Sequence, residues 1–171
     1  MEKAELQAVQ APLKERYRSE PEAALVTLRA DGKLDESQIA CKVSTGRALV
    51  EAGLHPATGG TGTLACSGDM LLEALVACAG VTLRSVATSM ELDVAGSVHA
   101  EGELDFRGTL GVDREAQVGF TSIRLRFELE SAAGEEELEK LFERTERYCV
   151  VYQTLVGGAP VEFSYSAAPT S

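Results

Sequence analysis

The chain lacks an excess of positive charge. Its 171 residues carry 16 Lys and Arg against 27 Asp and Glu, which gives a net charge of -11 at pH 7. Nucleic acids and anionic membranes attract basic surfaces, so this balance argues against both as partners. The first 20 residues are charged and lack an apolar h-region, which predicts no signal peptide. The longest apolar run, residues 70–83, contains Glu73 and is too short to span a bilayer. We therefore expect a cytoplasmic protein with no membrane partner.

The chain also lacks the cysteine spacings of a metal site. Cys41, Cys66, Cys78 and Cys149 form no CxxC pair and no His-rich cluster accompanies them, so no metal or other cofactor is predicted. Structural disulfides are not expected in the cytoplasm, where thiols stay reduced. The roles that remain for the four cysteines are core packing, or redox and nucleophilic chemistry. A serine hydrolase is not indicated because no G-x-S-x-G elbow is present. A cysteine hydrolase or transferase would depend on His55, which stands in a Gly-rich loop.

The first part of the chain predicts a helical arm followed by strands. The length fits one globular domain, and we assign residues 1–22 to an N-terminal helical arm and residues 23–171 to a single domain. An apolar strand at residues 25–28 precedes Asp31-Gly32, a sequence typical of hairpin turns. The returning strands are predicted at residues 39–43 and 48–50.

A long apolar helix is the main feature of the middle of the chain. Ser67 is the predicted N-cap, and the helix should run to about residue 90. Residues 70–83 are apolar on almost every side, which predicts burial on most sides. The small residues Ala77 and Gly80 lie on one stripe and permit close approach of another backbone. We predict that a second copy of the same helix lies there, and hence a homodimer.

The second half of the chain predicts a hairpin, a helix and a closing strand. Residues 98–107 and 121–130 alternate with period 2, and their outward faces carry opposite charges, which favours antiparallel pairing. A second helix should begin after Gly134 and end at Gly157-Gly158. The closing strand is predicted at Val161, Phe163 and Tyr165. The predicted fold class is α+β, with an antiparallel sheet around one long buried helix.

Two of the cysteines fall on helix faces that should meet in the core. Cys78 lies midway along the long helix, and Cys149 lies on the apolar face of the second helix. Free cysteine is often only a core residue, so packing and redox chemistry both stay open for this pair. Cys41 alternates within a strand and is expected in the core. Cys66 stands beside the start of the long helix, where backbone dipoles lower a thiol pKa, and is a reserve candidate.

The segments around these two cysteines resemble one protein family. The stretches CSGDMLLEALVACAGVTL, FTSIRLRFEL and ERTERYCVVYQTL are similar to those of the OsmC/Ohr superfamily, the osmotically inducible protein C and organic hydroperoxide resistance proteins. The likeness covers residues 24–165. It implies an intertwined α+β homodimer with the two long helices at its centre. It also implies a peroxidase that reduces organic hydroperoxides to alcohols without a cofactor.

The resemblance assigns roles to the two thiols. Cys78, as a thiolate, would attack the distal peroxide oxygen, and Cys149 would capture the resulting sulfenate as a disulfide. An external dithiol would then reduce that disulfide. The rival interpretation is a non-catalytic protein of the same fold that binds a small apolar ligand or acts in a stress response.

The chain departs from the family pattern at the start of the long helix. The family commonly places a Glu about ten residues before the attacking cysteine, where it orients a catalytic Arg. Here that position is Gly68, and Asp69 follows as a shorter substitute. The matching arginine would come from the N-terminal sheet region, where Arg47 and Arg29 are the candidates.

Overall fold

The computed structural model describes residues 2–19, 31–34, 40–44, 49–111 and 113–167. The predicted Leu25–Leu28 strand lies outside these residues. The elements, in chain order, are α1 (Lys3–Ser19), β1 (Asp31–Leu34), β2 (Ala40–Ser44), β3 (Leu49–Gly53), β4 (Ala65–Cys66), α2 (Ser67–Met90), β5 (Val94–Leu104), α3 (Phe106–Thr109), β6 (Phe120–Ser131), α4 (Glu135–Tyr148) and α5 (Val150–Gly157).

The predicted N-terminal helix is present as α1, and its first turn contacts the end of α2. The Lys3 ammonium lies 2.7 Å from a carboxylate oxygen of Glu91. The predicted boundary between residues 22 and 23 falls outside the described residues, so the division into arm and domain stays a prediction.

The described strands form two sheets. The first has the order β1-β2-β3-β4, antiparallel except for the short parallel pair β3–β4. The predicted turn at Asp31-Gly32 is wrong, because these residues lie inside β1, where Gly32 pairs with Val43. The chain reverses between Leu34 and Ala40 instead. Cys41 lies in β2, as expected for a strand residue, although its burial lies outside what the structure describes.

The second sheet is the predicted hairpin of β5 and β6. Glu101 pairs with Arg124 across the ladder, and Arg124 also lies 2.8 Å from Glu103. Opposite charges on the exposed faces therefore help to set this register. The first strand ends earlier than predicted, at Leu104, because Asp105 starts a short helix: its side chain accepts a hydrogen bond of 3.0 Å from the Arg107 amide.

Helix α2 packs one side on β5 and α4. The buried core at its C-terminal half consists of Leu83, Val86, Ala87, Val94 and Leu141. Ser67 is already helical and the cap residue is Cys66, so the predicted N-cap was one residue late. By length and composition α2 would suffice to cross a membrane, and within the chain one side of it packs on β5 and α4.

Burial of α2 on most sides is not found within one chain. The side chain of Val81 is 71% exposed, and Ala77 is exposed as well. At Gly80 the nearest neighbour within the chain is Val98 of β5, whose methyl would lie 3.7 Å from a Cβ placed there. The packing of a second copy against this stripe, and with it the homodimer, stays a prediction.

The C-terminal elements differ from prediction in two places. The second helix is divided in two at Cys149, which has extended backbone angles of φ -73° and ψ 104°. It ends as predicted at Gly157, with Gly158 in the left-handed region at φ 61°. The closing strand does not form within the chain. Its three predicted apolar residues, Val161, Phe163 and Tyr165, are 88% to 93% exposed.

Candidate thiol site

The break between α4 and α5 places a helix N-terminus beside the buried Cys149. The Cys149 amide makes the last hydrogen bond of α4, to Thr145 O at 3.0 Å, and the Cys149 carbonyl accepts the first of α5, from Gln153 N at 2.9 Å. The amides of the first turn of a helix have no acceptor within that helix. The N–H groups of Val150 and Val151 are therefore available to other groups, and the helix dipole makes this end electropositive.

Cys78 of α2 lies against this helix start and against Cys149. Burial opposes ionisation of Cys78, but the Val151 amide, the Cys149 and Thr82 side chains and the Val150 amide favour the thiolate, and together they lower the pKa of Cys78. Cys78 itself is half-buried. A buried thiol in plain apolar surroundings would instead have a raised pKa. The site thus favours a thiolate at Cys78.

Cys149 has the opposite tendency. It is 1% exposed, and burial raises its pKa, as do the side chain and the negative charge of Cys78. The nearby amides of Tyr152 and Val151 only partly offset this, and Cys149 makes no side-chain cap hydrogen bond at the start of α5. The two pKa values therefore move apart, and Cys78 is the more acidic thiol of the pair.

A small, mainly apolar cavity is lined by Cys149. Its volume is about 210 Å³. Ala79 of α2, the residue after Cys78, contributes to its lining. Three apolar side chains of β6 and α4 also line it, namely Leu125, Phe127 and Phe142. Thr145 and Glu146 of α4, with Cys149 and Tyr152, complete the lining. A cavity of this character suits an apolar group.

The other candidates on α2 are too far away to touch the thiol pair. A helix rises about 1.5 Å per residue, so Cys66 is about 18 Å and Asp69 about 14 Å from Cys78 along the axis. Disulfide formation needs Cα atoms within about 7 Å, so Cys66 cannot pair with Cys78 in the same chain. Asp69 is exposed in the first turn of α2. Arg29 and Arg47 lie outside the described residues.

His55 is used in a turn and gives no support to a cysteine hydrolase. Its Nδ1 accepts the Ala57 amide at 3.1 Å, and its ring stacks on Phe106 with centroids 5.0 Å apart. The glycines after it serve the same loop, since a Cβ at Gly60 would clash with the Leu54 carbonyl. In the part of the chain that the structure describes, no group of three His, Cys, Asp or Glu side chains is placed to hold a metal ion.

Sequence reasoning assigned no role to Thr82 or to the two α5 amides beside Cys78. Thr82 follows Cys78 by four residues in α2, and that spacing alone places both side chains on one helix face. The signal was therefore present for Thr82. The Val150 and Val151 amides had no such signal, because their role depends on where the helix breaks.

Taken together, these features define an α+β protein with a pair of interacting thiols, one activated and one protonated. The sequence profile described as OsmC-like protein matches residues 60–164, so the chain belongs to the OsmC-like family. No curated protein sequence matches the chain.

Solved structures share the fold. An OsmC-like protein from Mycoplasma pneumoniae aligns with a TM-score of 0.64 and 19% identity, covering 77% of this chain and 89% of that one. An OsmC-like protein of unknown function from Vibrio cholerae aligns with a TM-score of 0.60 and 15% identity, covering 76% of this chain and 94% of that one. An organic hydroperoxide resistance protein from Elizabethkingia anophelis aligns with a TM-score of 0.58 and 17% identity, covering 78% of this chain and 91% of that one. At these identities the comparison establishes the fold.

Proposed function

We propose that this chain is a thiol-dependent peroxidase that reduces organic hydroperoxides to alcohols. The observation that carries the proposal is the contact between Cys78 and Cys149 with their pKa values moved in opposite directions. A peroxidase needs one thiolate to attack and one neighbouring thiol to form the disulfide. Membership of the OsmC-like family, and the hydroperoxide resistance protein among the similar structures, support the same chemistry.

The reaction follows from the arrangement of the two sulfurs. The Cys78 thiolate attacks the distal oxygen of the peroxide, so that an S–O bond forms and the O–O bond breaks. The departing alkoxide takes a proton and leaves as an alcohol, and Cys78 becomes a sulfenic acid. The Cys149 sulfur then attacks the Cys78 sulfur, an S–S bond forms, and the hydroxyl leaves as water with the Cys149 proton. Finally, an external dithiol reduces the disulfide and is itself oxidised.

The start of α5 supplies part of the activation that the family pattern assigns to a glutamate-oriented arginine. Gly68 cannot orient an arginine, and Asp69 is about 14 Å from Cys78 along the helix axis. Among the described residues, backbone amides from α5 and the Thr82 hydroxyl stabilise the Cys78 thiolate. We propose Arg29 and Arg47 only as additional groups, whose role is tested by substituting each one.

We further propose that the protein acts in the cytoplasm as a homodimer. One side of α2 carries exposed apolar residues, including Val81, and the C-terminal segment exposes Phe163 and Tyr165. A second copy that covers these surfaces removes apolar area from water. Light scattering coupled to size exclusion should give twice the 18.2 kDa chain mass, and a monomeric mass would contradict this part of the proposal.

The decisive experiment is mass spectrometry after one equivalent of cumene hydroperoxide, without added reductant. We expect a Cys78–Cys149 disulfide in the wild-type chain. The Cys149→Ser variant should instead hold a sulfenic acid on Cys78, captured by dimedone, and Cys78→Ser should lose turnover. Two unmodified thiols in the wild type would contradict the proposal.

One observation favours a second candidate function. The apolar cavity beside Cys149 suits a small ligand whether or not the thiols react. In a non-catalytic protein that binds such a ligand, Cys78→Ser would bind it as well as the wild type, and neither chain would consume peroxide. A peroxide-consumption assay and a binding titration on the same two proteins separate the candidates.

A further inference from the structure

A second apolar cavity lies beside the one at Cys149. The first occupies about 210 Å³ between β6 and α4, and the second about 270 Å³ between β6 and α5. Leu75 of α2 lines the second cavity and Ala79 lines the first. These two residues are four apart, so they lie on the same face of α2, one turn from each other. The two cavities are therefore neighbouring compartments of one groove along α2 and β6.

Two residues are shared by the compartments. Leu125 and Tyr152 line both cavities, and the residues lining each compartment beyond this pair differ. Leu125 comes from the inner face of β6, and Tyr152 comes from the first turn of α5. Tyr152 is the larger of the two and lies three residues after Cys149. Because it lines both compartments, its ring is placed to limit passage from the compartment lined by Cys149 to the one lined by neither thiol.

The ring of Tyr152 is held in place across the break between α4 and α5. Its hydroxyl donates a hydrogen bond of 3.0 Å to Glu146 Oε1, and the next residue, Gln153, donates from Nε2 to the Glu146 carbonyl at 2.9 Å. The hydrogen bond to Glu146, burial and the Glu146 charge raise the pKa of Tyr152, so the phenol remains a donor at neutral pH. The ring is thus an ordered part of the site.

We propose that Tyr152 determines the length of the apolar group that the thiol site accepts, by closing the groove beside Cys149. The proposal rests on the peroxidase function given above. A compartment of about 210 Å³ equals the liquid volume of about seven water molecules. It suits a compact branched or aromatic group, and a long unbranched chain must enter the second compartment past Tyr152.

The test compares a compact and a linear substrate in three variants. In each protein, kcat/KM is measured for cumene hydroperoxide and for a linear fatty-acid hydroperoxide. We expect the wild type to favour the compact substrate. Tyr152→Ala should shift the ratio toward the linear substrate by about tenfold or more, because each additional buried CH₂ strengthens binding about fourfold. Tyr152→Phe keeps the ring and should leave the ratio within about threefold of the wild type. Tyr148→Ala removes a tyrosine that lines neither compartment, and it should leave the ratio unchanged.

An unchanged ratio in Tyr152→Ala would overturn the proposal. An equal shift in Tyr152→Phe would also overturn it, because the effect would then come from the hydroxyl and not from the ring. A second measurement does not need turnover. With Cys78→Ser as the background, calorimetry with decan-1-ol and 2-phenylpropan-2-ol compares affinities with and without Tyr152→Ala. If the peroxidase proposal fails but Tyr152→Ala still strengthens decanol binding about tenfold, the length limit holds for the groove itself.

Discussion

Oxidation to the Cys78–Cys149 disulfide should stabilise the native protein. The two side chains are already in contact in the reduced chain, so little native rearrangement is needed. The bond would close a loop of about 70 residues, and restricting the unfolded chain by such a loop is worth about 4.4 kcal/mol at 25 °C. With a denaturant slope of about 2 kcal/mol per M, the urea midpoint should rise by about 2 M.

The assay is urea unfolding of the oxidised and the reduced protein at one protein concentration, since a dimer makes the midpoint depend on concentration. Mass spectrometry on the same samples shows that the bond is present. The Cys149→Ser variant, treated with the same oxidant, is the control and should show no rise. An oxidised wild type that holds the bond but unfolds at the midpoint of the reduced protein would refute the reasoning, because closing the bond would then distort the native state.

Three further predictions concern individual residues. Val150→Pro should raise the pKa of Cys78, because proline fits the first helical position but has no N–H to donate. The pH at which iodoacetamide alkylates Cys78 should rise accordingly. An unchanged pH profile would show that the Val150 amide does not stabilise the thiolate. In the wild type, alkylation of Cys78 should begin at a pH below the usual range of thiol pKa values. Leu141→Ala should lower the free energy of unfolding by about 2–5 kcal/mol, since Leu141 is fully buried; Leu110→Ala, at a site 55% exposed, is the control and should change it by less than about 0.5 kcal/mol. Cys66→Ser should leave formation of the Cys78–Cys149 disulfide intact, and its loss in peptide mapping would contradict the 18 Å separation along α2.

The elements that depend on local pattern were predictable from the sequence. Alternation predicted β5 and β6 with the correct faces, and apolar periodicity predicted α2 to its last residue. The short helix α3 was missed although Asp105 is a typical capping residue. The segment from Val161 to Tyr165 alternates like a strand, but a strand needs a hydrogen-bonding neighbour, and within the described residues of one chain it pairs with none.

The site was predictable only in part. The sequence indicated the two cysteines and their helices, but the break at Cys149 contains no Gly or Pro to mark it, and the helical period continues through it. The family's arginine pattern directed attention to the N-terminal sheet, and among the described residues the groups at Cys78 are Cys149, a threonine and two amides. Periodicity describes side chains, so it cannot reveal a contribution made by the backbone.

The helix start at Cys149 also affects how this protein can change over generations. An amide N–H is supplied by nineteen of the twenty amino acids, so the support it gives to Cys78 does not depend on which side chain occupies positions 150 and 151. Residues at these positions are free to drift, or to be selected for contacts with a partner, while the thiol chemistry persists. A comparison of related sequences would score both positions as variable, and a search for invariant residues would pass over half of what activates the nucleophile.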